Sequence, residues 1–338
     1  MGAPRFQLRR CRSRMCCLAV SILFSLAAFA QTTTCNWTKK SSGSNGNQLG
    51  CAFTVSSGQE RIYMIHLPQN FDPDKGLVFM YHGAYQNQHF YGNTGWFQVS
   101  DENGVAFVGA QNDPCETGWG SECAADEAYS LELIEAAISN LKLNRQRIFL
   151  TGFSAGAVFT HLMASRHSDL FAAAAAYEGD YIGKPDNPYY QAPAVPVSIL
   201  TINSTESREM SYCGTKSGWW SADEVFSYWA RSAALNCREI TKGSLCGGPP
   251  VRDQLGTPTQ VTMKKAGNCY AGTEVVFYAL IGGFHRYYND KVELTTPPGN
   301  KLAPYNPNFN SNTGTYLAQI IWNFFNAHPK RVTPPAKR

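Results

Sequence analysis

The sequence predicts one α/β domain organised around a mostly parallel sheet with helices on both faces. Continuous apolar runs of buried-strand type alternate with segments of helical periodicity over roughly 300 residues, the order that βα units require. No internal repeat or interdomain linker interrupts that alternation. With 338 residues, 43% of them hydrophobic and 16% charged, the chain can bury a full core.

The elements follow in order. Residues 61–67 read as a strand that stops at Pro68, and residues 76–81 and 104–108 are further apolar strand runs. From 124 to 143 the spacing is helical, with Leu131, Ile134, Ala137, Ile138 and Leu141 on one face. That helix leads into a strand at 147–150. Residues 155–165 then read as a helix that begins with small residues, so it can pack closely on the strand feeding it. Two more buried strands, 195–202 and 274–281, flank a polar, cysteine-bearing region in which Ser221-Ala222-Asp223-Glu224 has the form of a capping box. An amphipathic helix at 314–326 closes the domain.

The first thirty residues stand apart. Arg5, Arg9, Arg10, Arg12 and Arg14 precede an apolar run at 15–29 that closes on Ala28-Phe29-Ala30. This order is that of a secretory signal peptide, and the run is shorter than the roughly 20 residues a membrane span needs. Residues 1–30 are therefore expected to be a signal peptide. Residues 31–338 are expected to form the catalytic domain of a secreted, extracellular protein without a membrane anchor. Its end, with Lys330, Arg331, Lys337 and Arg338 among prolines, reads as a short, solvated basic tail. Removing the leader takes away five of the 29 basic residues and none of the 25 acidic ones, which leaves a formal charge of −1. That balance gives no electrostatic case for a nucleic acid or an anionic membrane as partner.

Eight cysteines remain after the leader: Cys35, Cys51, Cys115, Cys123, Cys213, Cys237, Cys246 and Cys269. An even count in an oxidising compartment points to four disulfides, with Cys35–Cys51 and Cys115–Cys123 as the expected local pairs. A zinc site lacks support, because no C-x-x-C or H-E-x-x-H occurs there. Sequons at Asn36-Trp37-Thr38 and Asn203-Ser204-Thr205 are candidates for glycans in a eukaryotic host.

The chemistry centres on Gly152-Phe153-Ser154-Ala155-Gly156, between the strand at 147–150 and the helix that follows. The two glycines give a sharp strand-to-helix turn the clearance it needs, which marks Ser154 as a nucleophile on an elbow. A serine hydroxyl needs a base, and His285 lies just past a buried strand ending in Gly282-Gly283. His66, His82, His89, His161, His167 and His328 read as surface or core-packing residues. The acid should lie between Ser154 and His285, beyond a strand end. Glu206 is the assignment, four residues past Ile202, with Asp180, Glu209 and Asp223 as alternatives. Backbone amides of Ala155 and of Ala84 or Tyr85, in the loop Tyr81-His82-Gly83-Ala84-Tyr85, are expected to form an oxyanion hole. Trp119, Trp219 and Trp220 are candidates for a substrate groove.

The Tyr81-His82-Gly83 turn, the Ser154 elbow with the Asp126-bearing helix upstream, and Gly282-Gly283-Phe284-His285 together resemble the secreted esterases that include feruloyl and acetylxylan esterases and polyhydroxybutyrate depolymerases. The similarity spans residues 50–325. It implies an α/β-hydrolase fold, no cofactor, and cleavage of polymeric or oligomeric esters of plant polysaccharides or polyesters. Two departures stand out. Where the family often carries His-Gly-Thr-x-Asp, this chain has Ile202-Asn203-Ser204-Thr205-Glu206, and Arg286-Tyr287-Tyr288 replaces the usual Thr-Trp-Pro. A reading of another class is a non-catalytic carbohydrate-binding protein on the same scaffold.

Overall fold

The structure, a computed structural model, describes residues 34–41, 47–112, 125–180, 191–214, 220–246, 260–288 and 317–331. In chain order the strands are β1 (Gln48–Thr54), β2 (Glu60–His66), β3 (Leu77–Tyr81), β4 (Ala106–Ala110), β5 (Ile148–Phe153), β6 (Ala173–Tyr177), β7 (Ser198–Ser204), β8 (Glu239–Ile240), β9 (Gln260–Gly267) and β10 (Val275–Ile281). The helices are α1 (Trp96–Asn103), α2 (Ala125–Leu141), α3 (Ala155–Arg166), α4 (Ala222–Arg231) and α5 (Leu317–Ala327).

All ten strands join one sheet in the order β1-β2-β4-β3-β5-β6-β7-β10-β9-β8. The middle of it, β4 through β10, is parallel throughout, and antiparallel strands finish both edges. Parallel strands need both faces covered, and alternation along each strand supplies two cores. Phe79 and Leu150 point to the face where Leu133 of α2, Phe159 of α3 and Trp229 of α4 pack. Met80 and Phe149 point to the other, under Trp96 of α1 and Trp322 and Phe325 of α5. This is the α/β-hydrolase architecture. Among the described residues, no helix is long and apolar enough to cross a membrane.

The structure adds elements that the sequence pattern did not mark, notably α1, β1, β9 and β6. The last is Ala173-Ala174-Ala175-Ala176-Tyr177, fully buried between β5 and β7. A run of alanines has high helix propensity and no strand alternation, so only tertiary pairing makes it a strand. The capping box at Ser221 forms as expected, with Ser221 Oγ accepting from the Glu224 N–H and the Glu224 carboxylate accepting from the Ser221 N–H.

Disulfides join Cys35 to Cys51, as expected, Cys213 to Cys246, and Cys237 to Cys269. Cys115 and Cys123, Trp119 and Trp219, the leader, and Lys337 and Arg338 lie outside the described residues. Two expectations are corrected. Lys330 is no solvated tail residue: its ammonium donates to the carbonyls of Ser168 (2.6 Å) and Phe171 (2.9 Å), and burial lowers its pKa to about 8. Asn203 is buried on β7 and its amide donates to Asp180, so its sequon has no room for a glycan, whereas Asn36 is exposed.

Candidate active site

Ser154 stands where β5 turns into α3. Its φ of 54° and ψ of −120° are strained for a residue with a side chain, and the surrounding packing holds them. A Cβ on Gly152 would meet the Gly156 carbonyl oxygen at 2.2 Å, and one on Gly156 would meet the Tyr81 and His82 carbonyls at 2.5 Å. Glycine is thus required on both sides of the elbow. The half-buried hydroxyl remains reachable from solvent.

His285 reaches this hydroxyl from the loop after β10. Gly282 takes a φ of 82°, and a Cβ on Gly283 would collide with Ser204 Oγ at 2.6 Å. The loop is pinned to the end of β7, because the Gly282 N–H donates to Thr205 Oγ1 (3.0 Å) and the Glu206 N–H donates to the Gly283 carbonyl (3.1 Å). The result is a 2.7 Å contact between His285 Nε2 and Ser154 Oγ. Phe153 stacks on the imidazole at 5.4 Å between ring centroids, and Phe90 stacks on Phe153 at 5.6 Å.

The carboxylate beside the far nitrogen is Glu178, one residue past β6. Its Oε2 lies 3.7 Å from His285 Nδ1, and its side chain is fully buried. Ser204 Oγ donates to its Oε1, while Oε2 has no hydrogen-bond partner. Burial raises the Glu178 pKa, opposed by the neighbouring His285 and Ser204. Ser207 Oγ is the nearer neighbour of Nδ1, at 3.1 Å.

The structure does not bring Glu206 to the imidazole. Its backbone N–H joins the loop to Gly283, and its half-buried carboxylate forms no ion pair with His285. Nor do the alternatives reach it. Asp180 is buried against Asn203 with its pKa raised by burial, Glu209 is exposed, and Asp223 on α4 pairs with Lys264. One signal in the sequence pointed away from Glu206. Aligning Thr205 with the threonine of the family's His-Gly-Thr-x-Asp run puts Ser207, not Glu206, in the aspartate's place. Glu178 itself was hidden behind an alanine run that did not read as a strand.

The loop after β3 closes over the elbow. A Cβ on Gly83 would come within 3.2 Å of Ser154 Cβ, and Gln86 ties the turn by accepting from the Gly83 N–H at 2.7 Å. Among the described residues the amides of Ala84 and Ala155 have no protein acceptor. His82 is buried and structural: Nδ1 bonds to the Gly83 carbonyl (2.7 Å), and burial lowers its pKa to about 4. His66 pairs with Asp101, His161 accepts from Trp229, His167 pairs with Glu127, and His328 sits against the Phe324 carbonyl. His89 is exposed. Trp220 packs edge-on against Tyr228 and the core.

The family model described as "Esterase PHB depolymerase" matches residues 62–188, which contain the loop after β3, the elbow and Glu178. Over those residues, a little more than a third of the chain, it is similar to that family. The chain is 24% identical over 217 residues to an acetylxylan esterase of Coprinopsis cinerea, covering 58% of each chain. It is also 24% identical over 183 residues to poly(3-hydroxyalkanoate) depolymerase C of Paucimonas lemoignei, covering 51% of this chain and 42% of that one. The matched region thus spans little more than half the length of the first relative, and less of the second. Among solved structures it is similar to the acetyl xylan esterase from Aspergillus awamori, at 15% identity and a TM-score of 0.47, covering 71% of this chain and 93% of that one.

Proposed function

We propose that the protein is a secreted serine carboxylic-ester hydrolase that acts through an acyl-enzyme on feruloyl or acetyl esters of plant polysaccharides. The observation that carries this reading is the 2.7 Å contact between Ser154 Oγ and His285 Nε2, backed by the buried carboxylate of Glu178. The relatives named acetylxylan esterase support the polysaccharide class. The family model's description and the depolymerase relative favour a second reading, a polyester depolymerase.

In this mechanism Ser154 Oγ attacks the ester carbonyl while its proton passes to His285 Nε2. The amides of Ala84 and Ala155 face the developing oxyanion. As the ester C–O bond breaks, His285 returns the proton to the leaving alcohol, and water repeats the sequence to release the acid. The ionised Glu178 stabilises the imidazolium formed in each half, taking the role that the sequence pattern gave to Glu206. No cofactor is needed for these steps.

The test is hydrolysis of acetylated xylan, a feruloylated oligosaccharide and polyhydroxybutyrate by the purified protein and by Ser154→Ala. Turnover of a polysaccharide ester that disappears in folded Ser154→Ala supports the reading. Preferential release from polyhydroxybutyrate selects the second one. A wild-type protein that binds carbohydrate and turns over no ester would leave the non-catalytic alternative.

A further inference from the structure

We infer that Ser207 is a positioning residue that shares the Nδ1 proton of His285 with Glu178. This inference rests on the triad reading above. Two elements converge on Nδ1: the end of β6, bearing Glu178, and the turn after β7, bearing Ser207. Among the described residues, Ser207 Oγ, at 3.1 Å, is the side-chain atom within hydrogen-bond distance, while Glu178 Oε2 stands at 3.7 Å with no hydrogen-bond partner of its own. The neutral hydroxyl therefore takes the Nδ1–H bond, and the carboxylate supplies charge from behind it.

The hydroxyl is held for this task. Ser207 is buried, and its Oγ accepts the Met210 N–H at 3.2 Å. Three residues earlier in the same turn, Ser204 donates to Glu178 Oε1. One turn thus fixes both partners of the imidazole, the acid through Ser204 and the base through Ser207. With the Glu178 carboxylate behind it, the Ser207 hydroxyl accepts from Nδ1–H, the tautomer in which Nε2 can take the proton of Ser154.

The experiment compares the wild type with Ser207→Ala and Ser207→Thr on one chromogenic ester, with melting temperatures to confirm folding. Ser207→Ala should lower kcat about tenfold, the loss of one hydrogen bond to a charged group, with KM unchanged. It should also shift the low-field proton NMR resonance of the His285 Nδ1–H. Ser207→Thr, which keeps the hydroxyl, should stay within about threefold of the wild-type kcat. A folded Ser207→Ala protein with wild-type kcat and an unmoved resonance overturns the shared proton. A folded Ser207→Thr protein that loses as much kcat as Ser207→Ala overturns the role of the hydroxyl. Full turnover by Ser154→Ala would instead remove the triad reading itself, whatever Ser207 does.

Discussion

The backbone N–H of Ser154 donates to the carbonyl of Tyr177 at 2.9 Å. That bond aligns the ends of β5 and β6, so Ser154 and Glu178, the next residue after Tyr177, leave neighbouring parallel strands at one level. Ligands in such sheets gather at the carboxyl ends of the strands, and here three of those ends deliver hydroxyl, carboxylate and imidazole. Glu178 has a φ of 56°, and its N–H donates to the Ile202 carbonyl at 2.9 Å, so its direction is set by the sheet rather than by a free loop.

The acid assignment yields the first prediction. Glu178→Gln keeps the shape but removes the charge facing the imidazolium, and kcat/KM should fall by about 10²–10⁴. Glu206→Gln, whose structural tie is a backbone bond, should stay within about threefold of wild type. Steady-state kinetics of both variants on one chromogenic ester decide the matter, and the reverse pattern would return the role to Glu206.

The sequence disclosed the candidate triad unevenly, and for physical reasons. Ser154 and His285 were legible because each is announced by glycines that backbone clearance demands, at Gly152, Gly156, Gly282 and Gly283. Most of the parallel strands were legible because they are continuous apolar runs buried on both faces. Strand β6 was not, since alanine is equally at home in a helix, and α1 carries only a short apolar stripe. An acid has no such marker: any carboxylate past a strand end is a candidate until strand pairing is known. With β6 unmarked by the pattern, the carboxylates past the end of β7 stand out instead.

Burial gives a pH prediction that is independent of turnover. The Glu178 pKa is raised in the folded protein, chiefly by desolvation, so the folded state holds this proton more tightly than the unfolded chain does. Its stability contribution is therefore greatest below the ordinary carboxylate pKa. It declines as the pH rises from there through the raised value. Relative to Glu178→Gln, which has no charge to bury, the wild type should lose melting temperature over that window. Thermal scans of the two proteins across pH should diverge upward in favour of the variant. Parallel curves would mean that ionising Glu178 costs nothing.

The elbow predicts a steric effect without chemistry. Gly152→Ala places a methyl group 2.2 Å from the Gly156 carbonyl, and that backbone cannot yield without moving Ser154. Overpacking of this kind costs about 1–3 kcal/mol, and the moved nucleophile should lose most of its activity. Denaturant titration with parallel kinetics checks both. By contrast, Gly58→Ala has open space around the new methyl group but a φ of 87°, so it should cost stability and leave kcat unchanged.

Tyr85 supplies the last prediction, about substrate size. It follows Ala84 in the oxyanion loop, holds a left-handed φ of 58°, and is 86% exposed. An aromatic side chain gains nothing for the fold in that state, and the backbone strain costs about 1 kcal/mol. An exposed ring on the loop that closes over the Ser154 elbow is suited to cover a sugar or aromatic ring of a long substrate. Tyr85→Asn tolerates the same φ and retains the backbone amide. It should therefore melt at or slightly above the wild-type temperature and cleave a small chromogenic ester at the wild-type rate. On polymeric ester its KM should rise about fivefold, the equivalent of roughly 1 kcal/mol of lost ring contact. Equal losses on the small and polymeric esters would place Tyr85 in the oxyanion loop's own support instead of the substrate path.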